Sequence, residues 1–232
     1  MVEKATISQC VLSLGKSEPD LFAQYVQRWF EAVEKMNPRP DEICIGYFDP
    51  DTAGVTQFAQ YGVTIPVKLI PMPPETQMAD IINATIQASS SDWFSWIGLD
   101  DVALPEAFTD LQLAEQDGAE IMSVGCRFST GGQWVGNWNP AKLLEEPTIP
   151  GNSPIRKSAW ERVGGYDETY FHDWALWLKL AKDGVKVYRS EKLGMVFHEG
   201  ENHPTRTGTQ APDQEEKKRA FRVYAEQIGF PS

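Results

Sequence analysis

At 232 residues, 41% apolar and 23% charged, the chain has the make-up of a folded globular protein and is long enough to bury a sizeable core. Its formal net charge of −12 excludes a broad nucleic-acid footprint, which needs clustered Lys and Arg to neutralise phosphates. An anionic ligand would need local compensation, and a bound divalent cation is the simplest source of it.

Residues 5–14, ATISQCVLSL, form a short β-prone run followed by the turn-like GKSEPD. Ser17, Pro19 and Asp20 make a helix start, since a hydroxyl caps free N–H groups and an early proline forfeits no needed donor. Leu21, Phe22, Tyr25, Val26, Trp29, Phe30 and Val33 then recur at helical spacing and predict an amphipathic helix ending before MNPRP. The pattern repeats as strand 42–48, a short helix near 53–61, strand 67–70, helix 76–89, strand 93–99, a helix from Pro105 to Asp117, and strand 120–126. Strands alternating with helices predict an α/β fold, a mostly parallel sheet with helices on both faces. Ligands of such sheets bind beyond the carboxyl ends of the strands. Asp49 and Asp51 follow the second strand and Asp100 and Asp101 the fourth, so all four are expected to face one crevice.

After residue 127 comes STGGQWVGNWNPAKLLEEPTIPGNSP, a long loop with little periodicity; such loops inside compact domains are often functional. Its Trp134 and Trp138 could form an apolar wall for a bound ligand, or anchor the loop to the core. Helices at 157–163 and 173–183 follow, the first opening with the capping-box pair Ser158 and Glu161, the second stopping at Gly184. The β-prone pieces VKVYRS and LGMVFHE precede a polar segment, ENHPTRTGTQAPDQEEKK, and a final helix near 213–227 carrying Phe221, Val223 and Tyr224. Residues 1–203 read as one domain, and 204–232 as a polar segment and helix packed on it. Cys10, Cys44 and Cys126 lie far apart inside apolar segments, without C-x-x-C spacing, and read as reduced core residues. The opening MVEKATISQC lacks a basic region and apolar signal core, and no apolar run approaches the roughly 20 residues of a membrane span. A cytoplasmic location with no transmembrane segment is expected.

Two carboxylates at a strand end suit a hard divalent cation, which takes oxygen ligands and keeps open positions for phosphate oxygens. An acidic residue ahead of a helix also serves as a cap, so residue type alone leaves both roles open for Asp100 and Asp101. His198 follows an apolar strand and could ligate manganese or be a hydrogen-bonded structural residue; His203 falls in a polar loop. Asp173, at a helix start, stabilises the macrodipole with or without a catalytic role.

The stretch TQMADIINATIQASSSDWFSWIGLDDVALPEAF resembles a segment of the family 2 glycosyltransferases, proteins of the GT-A fold, in which an Asn-bearing helix leads into a strand, a D-x-D element and a proline. Asn83 stands at the Asn position, Asp100 at the second Asp of D-x-D, Asp101 at the acidic residue after it and Pro105 at the proline. Gly98 occupies the place of the first Asp, and Ile82 that of a basic residue. Downstream, GNSPIRKSAWERVGGYDETYFHDWALWLKLAKDG is similar to the family's acceptor-side segment, where E-R-V-G-G-Y/F-D-E leads to E-D-x-x-L-W. Asp173 matches the Asp that acts there as general base, with His172 in place of the Glu before it. Nearer the N-terminus LSLGKSEP stands where the family has P-T-Y-N, and DPDT where it has D-D-G-S, which makes Asp49 the candidate contact to the nucleotide base or ribose, or a turn-forming Asp before Pro50.

The resemblance implies a Rossmann-like GT-A fold with a mixed, mostly parallel sheet. It implies a metal-dependent, inverting glycosyltransferase that moves a sugar from a nucleotide-diphosphate sugar, a UDP-sugar by preference, to a hydroxyl on a glycan, lipid or protein. Mn2+ or Mg2+ would be held by Asp100 with Asp101 and His198, the donor by Asp49, Asn83 and Asp100, and the acceptor proton taken by Asp173. Gly98, His172 and the altered first loop leave an alternative, a degenerate domain that binds a nucleotide sugar or glycan without transfer. A sugar nucleotidyltransferase shares the layered fold, but LSLGKSEP lacks the glycine-rich basic loop expected after its first strand.

Overall fold

Side chains alternate between the two faces of a strand. Along β1 (Ile7–Ser13), Ile7 and Val11 join one buried apolar cluster and Cys10 another. Along β2 (Glu42–Tyr47), Ile43 and Ile45 join the first and Cys44 the second. A strand apolar on both sides belongs in the middle of a sheet covered on both faces, and β1 lies there, parallel to β2 and to β4 (Trp93–Trp96), with Cys10 level with both Cys44 and Trp96. The computed structural model of the chain describes residues 5–13, 19–48, 64–169, 172–198 and 214–231.

β3 (Val67–Pro71) extends the parallel half beside β2. Beyond β4 the sheet turns mixed. The short β8 (Ile155–Arg156) runs antiparallel between β4 and β6 (Ile121–Phe128), so β6 points the same way as β4. β9 (Val187–Phe197) is parallel to β6, β5 (Val102–Ala103) antiparallel to β9, and β7 (Gln133–Trp134) folds back on the end of β6. The order is β3-β2-β1-β4-β8-β6-β9-β5, with the carboxyl ends of β1 to β4, β6 and β9 along one edge.

α1 (Pro19–Glu34) lays Phe22, Val26, Trp29, Phe30 and Val33 on the first face, each such burial favouring the folded state by about 1.5–3 kcal/mol. α2 (Met78–Gln87) covers the second face. α3 (Leu111–Gln116) returns to the first, and α4 (Lys157–Arg162) and α5 (His172–Asp183) to the second. α6 (Gln214–Gln227) packs on α5, where Phe221 stacks on Trp174 with ring centroids 3.8 Å apart.

The helix expected over 105–117 is shorter. Residues 105–110 form successive tight turns, with Ala107 N bonded to Leu104 O and Thr109 N to Glu106 O, because neighbouring segments hold both ends. The Pro105 carbonyl accepts from Asn37 N at 2.7 Å, and the Asp110 carboxylate accepts from Ser190 Oγ at 2.6 Å. The two β-prone pieces before residue 199 join into the single strand β9, whose pairing with β6 shifts register around Gly125. All three cysteines are buried as thiols. No helix among the described residues is long and apolar enough to cross a membrane. Asp49, Asp51, His203 and the helix expected near 53–61 lie outside the described residues.

Candidate functional site

The strand expected over 93–99 ends at Trp96. Ile97 N still bonds Cys10 O at 3.3 Å, and then Asp101 N bonds Gly98 O at 3.1 Å, closing a turn that leaves Asp100 and Asp101 at the carboxyl edge of the sheet. A β-carbon on residue 98 would stand 2.5 Å from Asp100 Oδ1 and 3.3 Å from Asp101 Oδ2, so both carboxylates lie over bare backbone. The departure from D-x-D and the position of the second Asp are one feature: Asp100 uses the room that a side chain at 98 would fill.

Asp101 is buried, 7% exposed, and its Oδ1 accepts from His198 N at 2.9 Å, tying the end of β9 to the turn. From below, the Arg28 guanidinium of α1 lies over the Tyr25 ring, donates to the Asp100 carbonyl and approaches His198 Nε2 at 3.4 Å. Arg28 Nε is buried with no hydrogen-bond partner among the described residues. Arg28 was not singled out from sequence; the available signal was a cation between Val26 and Trp29, on the edge of an apolar stripe.

The donor set suits a hard cation in part. Asp100 and Asp101 present carboxylate oxygens over Gly98, the ligand type that Mg2+ and Mn2+ take. His198 Nε2 faces Arg28 instead, and among the described residues no three His, Cys, Asp or Glu side chains gather as a metal-ligand group. A cation here would rest on two carboxylates, with ligand oxygens and water completing its shell.

Asp173 occupies the first turn of α5, where the helix dipole favours negative charge. Its carboxylate packs so closely on Gly151 that a β-carbon there would overlap Oδ2. Burial pushes the neighbouring Tyr166 phenol well up, and the Asp173 carboxylate and Cys10 thiol add to the effect. Ser95 Oγ of β4 donates to Asn152 O at 2.9 Å where the chain enters the antiparallel β8, so Gly151, and Asp173 packed on it, lie beyond the carboxyl end of the strand that leads to Asp100 and Asp101.

The GGYDE run before α5 is a set of stitches. Asn83 Nδ2 donates to Tyr166 O and Asn83 Oδ1 accepts from Tyr166 N, both at 2.8 Å. Glu168 Oε2 accepts from Ala79 N at 2.8 Å, satisfying one of the open N–H groups at the start of α2. Asp167 pairs with Lys179 at 3.1 Å and accepts from the Tyr224 hydroxyl of α6, and its carbonyl lies 3.0 Å from His172 Nδ1. Asn83, expected on the donor, has both amide atoms on the backbone of Tyr166, where it holds the segment leading to Asp173. The long loop is anchored too: Trp138 meets Trp177 edge-on at 6.3 Å, and Trp174 Nε1 donates to Leu143 O at 2.6 Å. Trp134 is partly buried against the other cluster.

Strand order, layers and the carboxylate-bearing edge define the GT-A glycosyltransferase fold. Among solved structures, S. aureus TarS 1–349 in complex with UDP-GlcNAc matches with a TM-score of 0.71 at 11% identity, over 96% of this chain and 66% of that chain. A second structure of TarS 1–349 matches at 0.67 and 11% identity, over 96% of this chain and 65% of the other. The mannosyltransferase PcManGT from Pyrobaculum calidifontis, in complex with GDP-Man and Mn2+, matches at 0.64 and 11% identity, over 99% of this chain and 77% of that one. The chain thus spans 65% of the TarS 1–349 structure's length. At these identities the likeness is one of fold. No family model and no curated protein matches the sequence.

Proposed function

We propose that the protein is a metal-dependent, inverting glycosyltransferase that moves a sugar from a nucleotide-diphosphate sugar to an acceptor hydroxyl. The observation that carries this reading is the pair of glycine seats at one sheet edge, Gly98 under Asp100 and Asp101, and Gly151 under Asp173. The UDP-GlcNAc, UDP and GDP-Man complexes of the neighbours support a nucleotide-diphosphate sugar as donor, a UDP-sugar by preference, with Asp49 as its candidate base or ribose contact.

Mn2+ or Mg2+ held by Asp100 and Asp101 would offset the charge that develops on the departing diphosphate. Arg28 and the His198 backbone N–H brace the turn that carries both carboxylates, so that little reorganisation is needed as that charge develops. Asp173 takes the proton of the acceptor hydroxyl while its oxygen attacks the anomeric carbon opposite the leaving group. The bond to the acceptor oxygen forms as the bond to the diphosphate oxygen breaks, and the anomeric carbon inverts. Asn83 contributes by fixing Tyr166, and through it the run that ends at Asp173.

Gly98 in place of a first Asp favours a second reading, nucleotide-sugar binding without transfer. Incubation with UDP- and GDP-sugars plus Mn2+ separates the two. Slow donor hydrolysis, lost with EDTA and in Asp100→Ala, is the expected result. A thermal shift by nucleotide with no hydrolysis selects the binding reading, and neither response removes both.

A further inference from the structure

We infer that the groove formed by the 133–148 loop binds the acceptor, and that the acceptor is a carbohydrate chain; this rests on the glycosyl-transfer reading above. The groove is open to solvent, offers about 350 Å3, and is lined by Trp134, Asn137, Asn139, Lys142, Glu146 and Thr148. That volume lies at the lower end of the roughly 300–1,000 Å3 typical of small-molecule sites.

The lining matches the two sides of a sugar ring. A pyranose has an apolar C–H face, which a partly exposed indole such as Trp134 can cover. Its hydroxyls each donate and accept, and a carboxamide offers both functions on one planar group. Asn137 is exposed and Asn139 half-buried, so both side-chain amides stand on the accessible lining of the groove. Lys142 and Glu146 face each other at 3.8 Å, and their charges offset, which suits a neutral ligand better than a phosphate or an acidic peptide. Buried Thr148 sets the rim: its carbonyl accepts from Asn137 N at 2.8 Å and its hydroxyl from Asn139 N at 3.3 Å.

Placement relative to Asp173 gives the groove its role. Trp134 pairs with Cys126 near the carboxyl end of β6, on the edge that carries the carboxylates. The rim runs through Thr148, Ile149 and Pro150 directly into Gly151, the seat of the Asp173 carboxylate. Lys142, which lines the groove, closes the short 3-10 turn Pro140–Lys142, and the next residue, Leu143, accepts from the indole of Trp174, the neighbour of Asp173. A chain lying in the groove is therefore held by the same loop that positions the base.

The test titrates 15N-Trp-labelled protein with chitotetraose, cellotetraose, maltotetraose and mannotetraose at millimolar concentrations, following the Trp134 indole resonance. One of the four is expected to shift it saturably. Trp134→Ala and Asn137→Ala should weaken that binding, the first by about tenfold, and leave the thermal shift by UDP or GDP with Mn2+ unchanged. Asn137 is exposed, so its variant stays informative if Trp134→Ala misfolds. No shift of Trp134 by any of the four, or equal affinity in both variants, overturns the inference. Saccharide binding at Trp134 without nucleotide binding keeps the groove and removes the transferase; nucleotide binding alone does the reverse.

Discussion

Glu42 opens β2 at the amino edge of the sheet, away from the carboxylates, with a side chain only 6% exposed. Burial by itself would raise its carboxyl. Against that, the Lys68 ammonium at 2.6 Å, the Ser8 hydroxyl at 2.6 Å and the Ser90 N–H at 2.6 Å pull it from an ordinary 4.5 down to about 2. At roughly 1.4 kcal/mol per pH unit, this corresponds to about 3 kcal/mol of folding free energy at neutral pH. The sign follows from the depressed value: the contribution is complete above pH 4.5 and is lost as pH falls toward about 2. Glu42→Gln removes the charge and turns an amide toward Lys68. At pH 7 the variant should be less stable by about 3 kcal/mol, a urea midpoint lower by about 1 M for a slope near 3 kcal/mol per molar. Urea melts of both proteins at pH 7, 5, 4 and 3 should show the gap closing below pH 4.5, because only the wild type has this term to lose. A gap that is the same at pH 3 as at pH 7, or absent at pH 7, refutes the reasoning.

Asp173→Asn should retain nucleotide binding while transfer falls by roughly 10² to 10⁴-fold, and unchanged turnover removes Asp173 from the mechanism. Gly151→Ala should reproduce that loss with Asp173 intact, since the new methyl must displace the carboxylate; kinetics equal to wild type would deny Gly151 its role as a seat. Asn83→Ala leaves Tyr166 N–H and C=O without their partners, and should destabilise the fold by about 1–3 kcal/mol in a denaturant melt. Phe221→Ala, which removes the ring stacked on Trp174, should cost about 3 kcal/mol by the same assay; a loss below half of that would mean α6 contributes little to the body.

The layered α/β architecture was legible because its signals are local. The apolar spacing of Phe22, Val26, Trp29 and Phe30, and the alternation along ISQCVLS and EICIGY, report the local helix or strand period directly. Where neighbours override local preference the reading failed: residues 105–110 wind as turns because Asn37 and Ser190 hold them, and β5 and β8 are too short for any period to show. Asp100, Asp101 and Asp173 could be picked out by their motifs, but the roles now seen for their neighbours could not. Asn83 bonds to a residue 83 positions away, Asp101 to one 97 away, and Arg28 reaches across 170 positions to His198.

By itself, then, the sequence determined the longer strands and helices and which carboxylates follow strands or open helices, since both follow from residues close together along the chain. Only the tertiary structure decided how those carboxylates are seated. Gly98 and Gly151 matter through the side chains they lack, and the space a missing β-carbon leaves acquires meaning when folding brings a distant carboxylate into it.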